Sequence, residues 1–237
     1  AHALGYRLLD DEGNSVEPVA AGLLKLSRIE PPDHRPWEDI EILVACDVDN
    51  PLAGPHGAAP VFGPQKGASP DEVQLLDAAL DKLGDLLARD LGRPCKDMPG
   101  AGAAGGLGAA LPGFANARLA PGFQLVASQT GLKEALSTAD WVITGEGRTD
   151  FRTARGKVPA GVAALCQEVA EERGAPLPCS LISGGVTATE HDLQQFGFHD
   201  VHSLLEPGMP VTEAIARAPE LLAIQAKQAV QSWQLFC

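Results

Sequence analysis

Positive charge is scarce in this sequence: 18 Lys and Arg stand against 31 Asp and Glu, a formal net charge of −13 at pH 7. Nucleic acids and anionic membranes are bound through clustered positive charge, so neither partner is expected. Cysteine is sparse too. The five, at positions 46, 95, 166, 179 and 237, form no CxxC pair, and an odd, unpatterned set reads as reduced thiols in a cytoplasmic protein. No apolar run approaches the length needed to span a bilayer. H-E-x-x-H, G-x-S-x-G and G-x-x-x-x-G-K-[ST] are all missing, which leaves metalloprotease, hydrolase-elbow and P-loop readings unsupported. What is present is ordinary for globular chains: 237 residues, 45% hydrophobic and 21% charged, enough for one large domain or two small ones.

Residues 100–105 read GAGAAG, formally the G-x-G-x-x-G dinucleotide fingerprint. That fingerprint works only where its first glycine ends a buried strand and a carboxylate follows about 20 residues later for the ribose hydroxyls. Here LGRPCKDMP precedes it without an apolar run, and LAPGFQLVAS follows without Asp or Glu. A dinucleotide site is therefore not expected. The glycines serve either close helix packing or backbone approach to a phosphate.

Along the chain, the first 30 residues predict a short helix or strand, a turn at DDEGN and a helix over VAAGLLKLSRI. IEILVACDV reads as a strand ending at DVDNP. After a Gly/Pro-rich loop, SPDE supplies Ser69 as N-cap, Pro at the first helical position and acids in the first turn, opening a one-faced amphipathic helix. From about residue 137 the segments ADWVITGE, GKVPAGVAALCQEVAEERG, PLPCSLISGG, HDLQQFGFHDVHSLL and TEAIARAPELLAIQAKQAV alternate strand and helix, with Gly174 as a helix stop and Pro219 as an interruption. Such alternation is what a doubly wound parallel sheet requires. The expected fold class is α/β, in two domains: a loop-rich α/β domain over 1–133, and a Rossmann-like α/β domain over 134–237 carrying the C-terminal part of a doubly wound sheet. The opening AHALGYRLLDDEGN, without an initiator Met, reads as the middle of a longer pattern, and both domains are expected to be N-terminally incomplete.

Four segments could carry chemistry. In CDVDNP, Asp47 and Asp49 lie two apart at the expected end of a strand. Alternation would turn both carboxylates to one side, suited to a divalent metal or to general-base work, unless they merely close a turn. Lys66, in FGPQKGA, sits among turn formers where backbone amides and an ammonium could hold an anion; a surface lysine is the plainer reading. TGEGRTDFRTARGK follows a strand and precedes a helix, where open α/β sheets bind ligands. It gathers Arg148, Arg152, Arg155 and Lys157, with Glu146 and Asp150 beside them, a candidate anion site in an otherwise acidic chain. The fourth is the glycine stretch itself. Of the histidines, only His56 lies in a candidate loop.

Taken together, VACDVDNPLAGPHGAAPVFGPQKGASPDEVQLLDAAL, PGAGAAGGLGAAL and ADWVITGEGRTDFRTARGKVPAGVA resemble the bacterial glycerate 2-kinases of the glycerate kinase type-1 family, in the same order along nearly the whole chain. The DSFKGS-like and GGSATNDGG-like loops of that family have no counterpart here. The resemblance implies transfer of the γ-phosphoryl group of ATP to the 2-hydroxyl of D-glycerate, with Mg²⁺, in a cleft between two α/β domains. It implies Asp47, Asp49 and Lys66 as catalytic residues, with Asp47 and Asp49 also as the metal ligands. Asn50, Gly54, Gln65, Gly100, Gly102, Gly105, Gly106, Glu146, Arg148, Asp150 and Lys157 would then contact glycerate or nucleotide. Glycerate and ATP are the expected partners, and a homodimer is an open option. Two alternatives stand beside it: a noncatalytic fragment that acts as a binding module, and a kinase for another small hydroxy acid.

Overall fold

In the computed structural model, which describes residues 1–150, 153 and 158–236, the chain divides into two units, Ala1–Gly122 and Phe123–Cys237. Residues 133 and 134, the boundary expected from sequence, lie together inside a later helix, Leu132–Ser137.

In the first unit, β1 (Arg7–Leu9) and β2 (Arg28–Glu30) pair antiparallel with Leu8 opposite Ile29. Between them α1 covers only Ala20–Leu23. The longer helix expected over VAAGLLKLSRI is cut short because the Ser27 amide donates to the Leu9 carbonyl and the chain joins the hairpin. Leu26 and Ile29 enter the core that way. A second pair is parallel: β3 (Leu43–Ala45) lies beside β4 (Arg118–Ala120). The strand expected over nine residues thus narrows to three.

Three helices make the crossover between β3 and β4: α2 (Ala58–Phe62), α3 (Pro70–Leu91) and α4 (Ala103–Ala115). The start of α3 is the one its sequence predicts. Ser69 Oγ accepts the Glu72 amide while the Glu72 carboxylate accepts the Ser69 amide, a reciprocal cap that satisfies two otherwise orphaned donors. Leu80, Leu83 and Leu87 recur at helical spacing and are buried. Leu83 and Leu87 join Tyr6, Leu26 and Phe114 in one cluster; Leu80 joins Leu52, Ala58 and Ala109 in another. α4 is irregular at its start. Ala104, Gly105 and Gly106 have φ of 50°, 72° and 99°, so regular helix begins only at Leu107.

The second unit opens with α5 (Gly122–Thr130, whose first residue belongs to the first unit) and α6 (Leu132–Ser137). It continues through β5 (Val142–Glu146), α7 (Val158–Arg173), β6 (Cys179–Ser183), α8 (Glu190–Gln195), β7 (Asp200–Ser203), α9 (Val211–Ala216) and α10 (Ala218–Phe236). The sheet order is β5-β6-β7, all parallel, with Leu181 between Thr144 and Val201. Successive side chains of β6 point to opposite faces. Cys179 packs with Leu136, Val162 and Cys166 of α6 and α7, whereas Ile182 packs with Ala214 and Leu221 of α9 and α10. Helices therefore cover both faces, every residue of β6 is buried, and the alternation expected from sequence holds. Cys46, Cys95, Cys166 and Cys179 are unbridged. Among the described residues no helix is long and apolar enough to cross a membrane.

Candidate functional site

In the first unit the candidate residues gather on the segment that leaves β3 and on the glycine stretch packed against it. The Cys46 amide still pairs with the Ala120 carbonyl, but the strand has ended before Asp47. Strand alternation therefore does not impose a common direction on Asp47 and Asp49. Asp47 is held instead by the first turn of α5, where its Oδ1 accepts the Gly122 amide at 2.8 Å. Asp49 is exposed and makes no hydrogen bond or ion pair with a described residue. The Asn50 side-chain amide donates to the His56 carbonyl at 2.9 Å, and the Asn50 backbone carbonyl accepts the Gly102 amide at 2.9 Å. Gly54 (φ 90°) gives its amide to both carboxylate oxygens of Asp77 on α3, at 3.0 and 3.2 Å.

The glycines are explained in part by what a β-carbon would strike. At Gly102 it would lie 2.3 Å from the Pro51 carbonyl oxygen; at Gly100, 2.8 Å from Cys46 Sγ; at Gly106, 2.9 Å from Leu52. These three let the stretch lie directly on the 46–52 segment. Gly105 differs: nothing lies within 4 Å of the added carbon, and it neighbours Ala104, exposed and in the left-handed region. Left-handed backbone at a non-glycine residue costs on the order of 1–2 kcal/mol and is concentrated at functional loops. Gln65 and Lys66 are exposed in a single 3₁₀ turn, Pro64–Lys66, that ends at Gly67 (φ 91°). The Lys66 ammonium has no hydrogen bond or ion pair to a described residue.

In the second unit the site lies at the C-terminal ends of β5 and β6, where Glu146 and Ser183 are register partners. Thr149 Oγ1 lies 2.9 Å from Glu146 Oε1 and 2.9 Å from Ser183 Oγ, and Thr153 Oγ1 donates to the same Glu146 oxygen at 2.8 Å. Thr149 has one hydroxyl proton, and the carboxylate is the stronger acceptor for it. Ser183 Oγ donates to the Gly185 carbonyl at 2.9 Å, and Thr153 Oγ1 accepts the Asp150 amide at 3.2 Å. Thr149, Thr153 and Ser183 have no solvent exposure, and Asp150 has 6%. Two threonine hydroxyls thus hold one carboxylate rigidly at the strand ends, the edge at which open α/β sheets bind ligands. Arg148 is exposed beside it. Lys157, with Arg152 and Arg155, lies outside the described residues.

Sequence reasoning passed over Thr149, Thr153, Ser183 and Asp77. Thr149 and Thr153 stand inside the basic segment already singled out, so a search for hydroxyls flanking Glu146 would have found them, whereas Ser183, distant in sequence, joins them only through the pairing of β5 with β6. Asp77 had no signal, because an acid on a helix is normally solvated. No group of three or more His, Cys, Asp or Glu among the described residues is placed to hold a metal ion.

The Glycerate kinase family model matches residues 1–234. A glycerate kinase from Halalkalibacterium halodurans is 39% identical over 236 residues, covering 98% of this chain and 60% of that protein. A glycerate 2-kinase from Escherichia coli is 40% identical over 204 residues, 86% of this chain and 52% of its own. A crystal structure described as that of a glycerate kinase 2 from Salmonella typhimurium LT2 superimposes with a TM-score of 0.69 at 38% identity, covering 96% of this chain and 60% of that one. The chain thus spans about 60% of the length of the first of these relatives.

Proposed function

This chain belongs to the glycerate kinase family, and from that premise we propose that the protein transfers the γ-phosphoryl group of ATP to the 2-hydroxyl of D-glycerate. The bond between the glycerate oxygen and phosphorus forms, the β–γ bridge of ATP breaks, and 2-phosphoglycerate and ADP leave. The observation that carries the reading is the family match over residues 1–234. Phosphoryl transfer asks for positioning and charge neutralisation rather than covalent chemistry, and the candidate residues are of the right kinds.

In this reading Asp49, whose carboxylate has no described partner, accepts the proton of the attacking hydroxyl. Lys66 neutralises phosphate or glycerate carboxylate charge from its exposed turn. The glycine stretch, with open space at Gly105, lets backbone amides approach a phosphate. Glu146, clamped by Thr149 and Thr153, orients a substrate hydroxyl, with Arg148 supplying positive charge.

Mg²⁺ fits this donor set only as an ion shared with the nucleotide, since such ions are held by one or two carboxylates together with substrate phosphates. Asp47 Oδ2 would hold it, Oδ1 being engaged by Gly122. Once bound, the ion offsets charge on the phosphates.

The test is a chimera in which this chain replaces the matching part of the H. halodurans relative, supplied with ATP and D-glycerate. We expect ADP release coupled to 2-phosphoglycerate, identified by ³¹P NMR. Formation of 3-phosphoglycerate overturns the 2-position, and an inactive but folded chimera overturns the activity. In the active chimera Lys66→Ala is expected to lower kcat/KM by at least about tenfold, roughly 1.4 kcal/mol, without changing Tm. Unchanged kinetics would return Lys66 to a solvated surface role.

A further inference from the structure

We propose that a cavity of about 80 Å³ in the first unit, walled by Tyr6, Trp37, Arg93 and Asn116, is a binding site for a small oxyanion carrying a phosphate or carboxylate group. None of the residues assigned above to phosphoryl transfer lines it, so the inference stands apart from that reading.

The charges around the cavity are unevenly spent. Two acids lie in its wall, Glu38 and Asp90. Glu38 is paired with Arg35 at 2.8 Å. Asp90 is fully engaged: Oδ1 takes Arg89 Nε at 2.6 Å, and Oδ2 takes the Ile29 amide at 2.7 Å and Arg89 again at 2.9 Å. Arg93 is different. Its half-buried side chain makes no hydrogen bond or ion pair with a described residue, so the charge left over in the wall is positive. Arg35 spends one hydrogen bond on Glu38 and keeps donors in reserve, since a guanidinium has five.

Further donors stand nearby. The Asn116 side chain and the Trp37 indole N–H have no described hydrogen-bond partner. Asn116 is one of only two non-glycine residues with positive φ (55°) among those described, fixed there as the residue that ends α4. The Tyr6 hydroxyl, by contrast, is spent on the Phe114 carbonyl at 2.7 Å. Burial first, and the Glu38 carboxylate as well, push the phenol up from its ordinary value, with Arg35 and Arg93 opposing. The ring itself is held edge-on to Phe114, centroids 5.0 Å apart. The exposed lining is polar rather than apolar, which disfavours an apolar guest. Two guanidiniums beside a neutral amide suit planar or tetrahedral oxyanions, which they bind bidentately.

Trp37 makes the site observable. In a chain carrying Trp141→Phe and Trp233→Phe it is the sole tryptophan. Inorganic phosphate, acetate and potassium chloride are titrated at matched ionic strength. We expect a saturable change in Trp37 emission with phosphate or acetate and none with chloride. A response to phosphate alone identifies a phosphate ligand, and one to acetate alone a carboxylate. Arg93→Gln is expected to weaken the apparent affinity at least tenfold, and Lys66→Ala to leave it unchanged. A chloride response equal to the others, no response at all, or an unaltered titration in Arg93→Gln overturns the proposal. Should the two Phe substitutions prevent folding, the native chain serves through its Tm. Binding to the folded state alone raises Tm with ligand concentration, and that rise must shrink in Arg93→Gln for the site to stand.

Discussion

Asp47 shares an oxygen with the Gly122 amide at 2.8 Å, whereas Asp49 is held by nothing described, so the two acids should respond differently to substitution. Asp47→Ala is expected to cost about 1 kcal/mol, as loss of a helix N-terminal acceptor does, while Asp47→Asn keeps an acceptor oxygen and most of that stability. Asp49→Asn should leave Tm unchanged. In the active chimera both Asn variants should cut turnover on the order of a hundredfold; denaturation and kinetics on the same proteins separate the capping role from the chemical one. Asp90 makes a prediction about pH. The Arg89 guanidinium first, and then the Ile29 amide, hold its carboxyl below the ordinary value of 3.8, against the opposing effect of burial. A carboxyl lowered by folding stabilises the protein above its unfolded value and stops doing so as pH falls through the folded one. Asp90→Asn should therefore be less stable by about 1.5–3 kcal/mol at neutral pH, a deficit that fades in urea titrations run below pH 3.8. A deficit constant with pH would place the cause in packing.

At the scale of elements, the start of α3 was legible because its N-cap, proline and first-turn acids lie within four residues: Ser69, Pro70, Asp71 and Glu72. The glycine stretch was not. The same letters serve two purposes, and only the path of the 46–52 segment separates them. Gly102→Ala would drive a β-carbon to 2.3 Å from the Pro51 carbonyl oxygen. Backbone on both sides must shift, and the expected loss is about 1–3 kcal/mol or more, as for overpacking. Gly105→Ala meets nothing within 4 Å and carries only the strain of its φ of 72°, about 1–2 kcal/mol. Chemical denaturation of the two variants should rank them in that order. Equal losses would show that the 46–52 segment yields to the added carbon. In the second unit, β6 could be read as a strand from CSLIS, but Thr149 and Ser183 meet across 34 positions. No local pattern records that meeting.

At the scale of the molecule, the family assignment reaches residues 1–234, yet the chain spans 60% of the length of its H. halodurans relative. Among the described strands β5 pairs only with β6, and Ile143 on it is 48% exposed. An unpaired strand edge leaves backbone donors and acceptors to solvent and invites association. The 237-residue chain by itself is therefore expected to phosphorylate glycerate far more slowly than that relative, and to gain activity in the chimera. Side-by-side turnover measurements check this, and equal rates would refute it. The division at Gly122 and Phe123 also lay beyond the sequence, since one continuous helix, α5, runs across it.

By itself the sequence determined the features that depend on near neighbours or on totals. These are the start of α3, the strand–helix alternation of the second unit, and the resemblance to the glycerate kinase family. Tertiary structure alone decided which groups meet: Asp47 with an amide 75 positions away, Gly54 with Asp77, Thr149 with Ser183, and the spent and unspent charges around Arg93. The physical reason is range. Capping, periodicity and turn chemistry act over about four residues. A hydrogen bond or a close backbone approach between distant segments exists only once packing has brought them together, and a single β-carbon can forbid it.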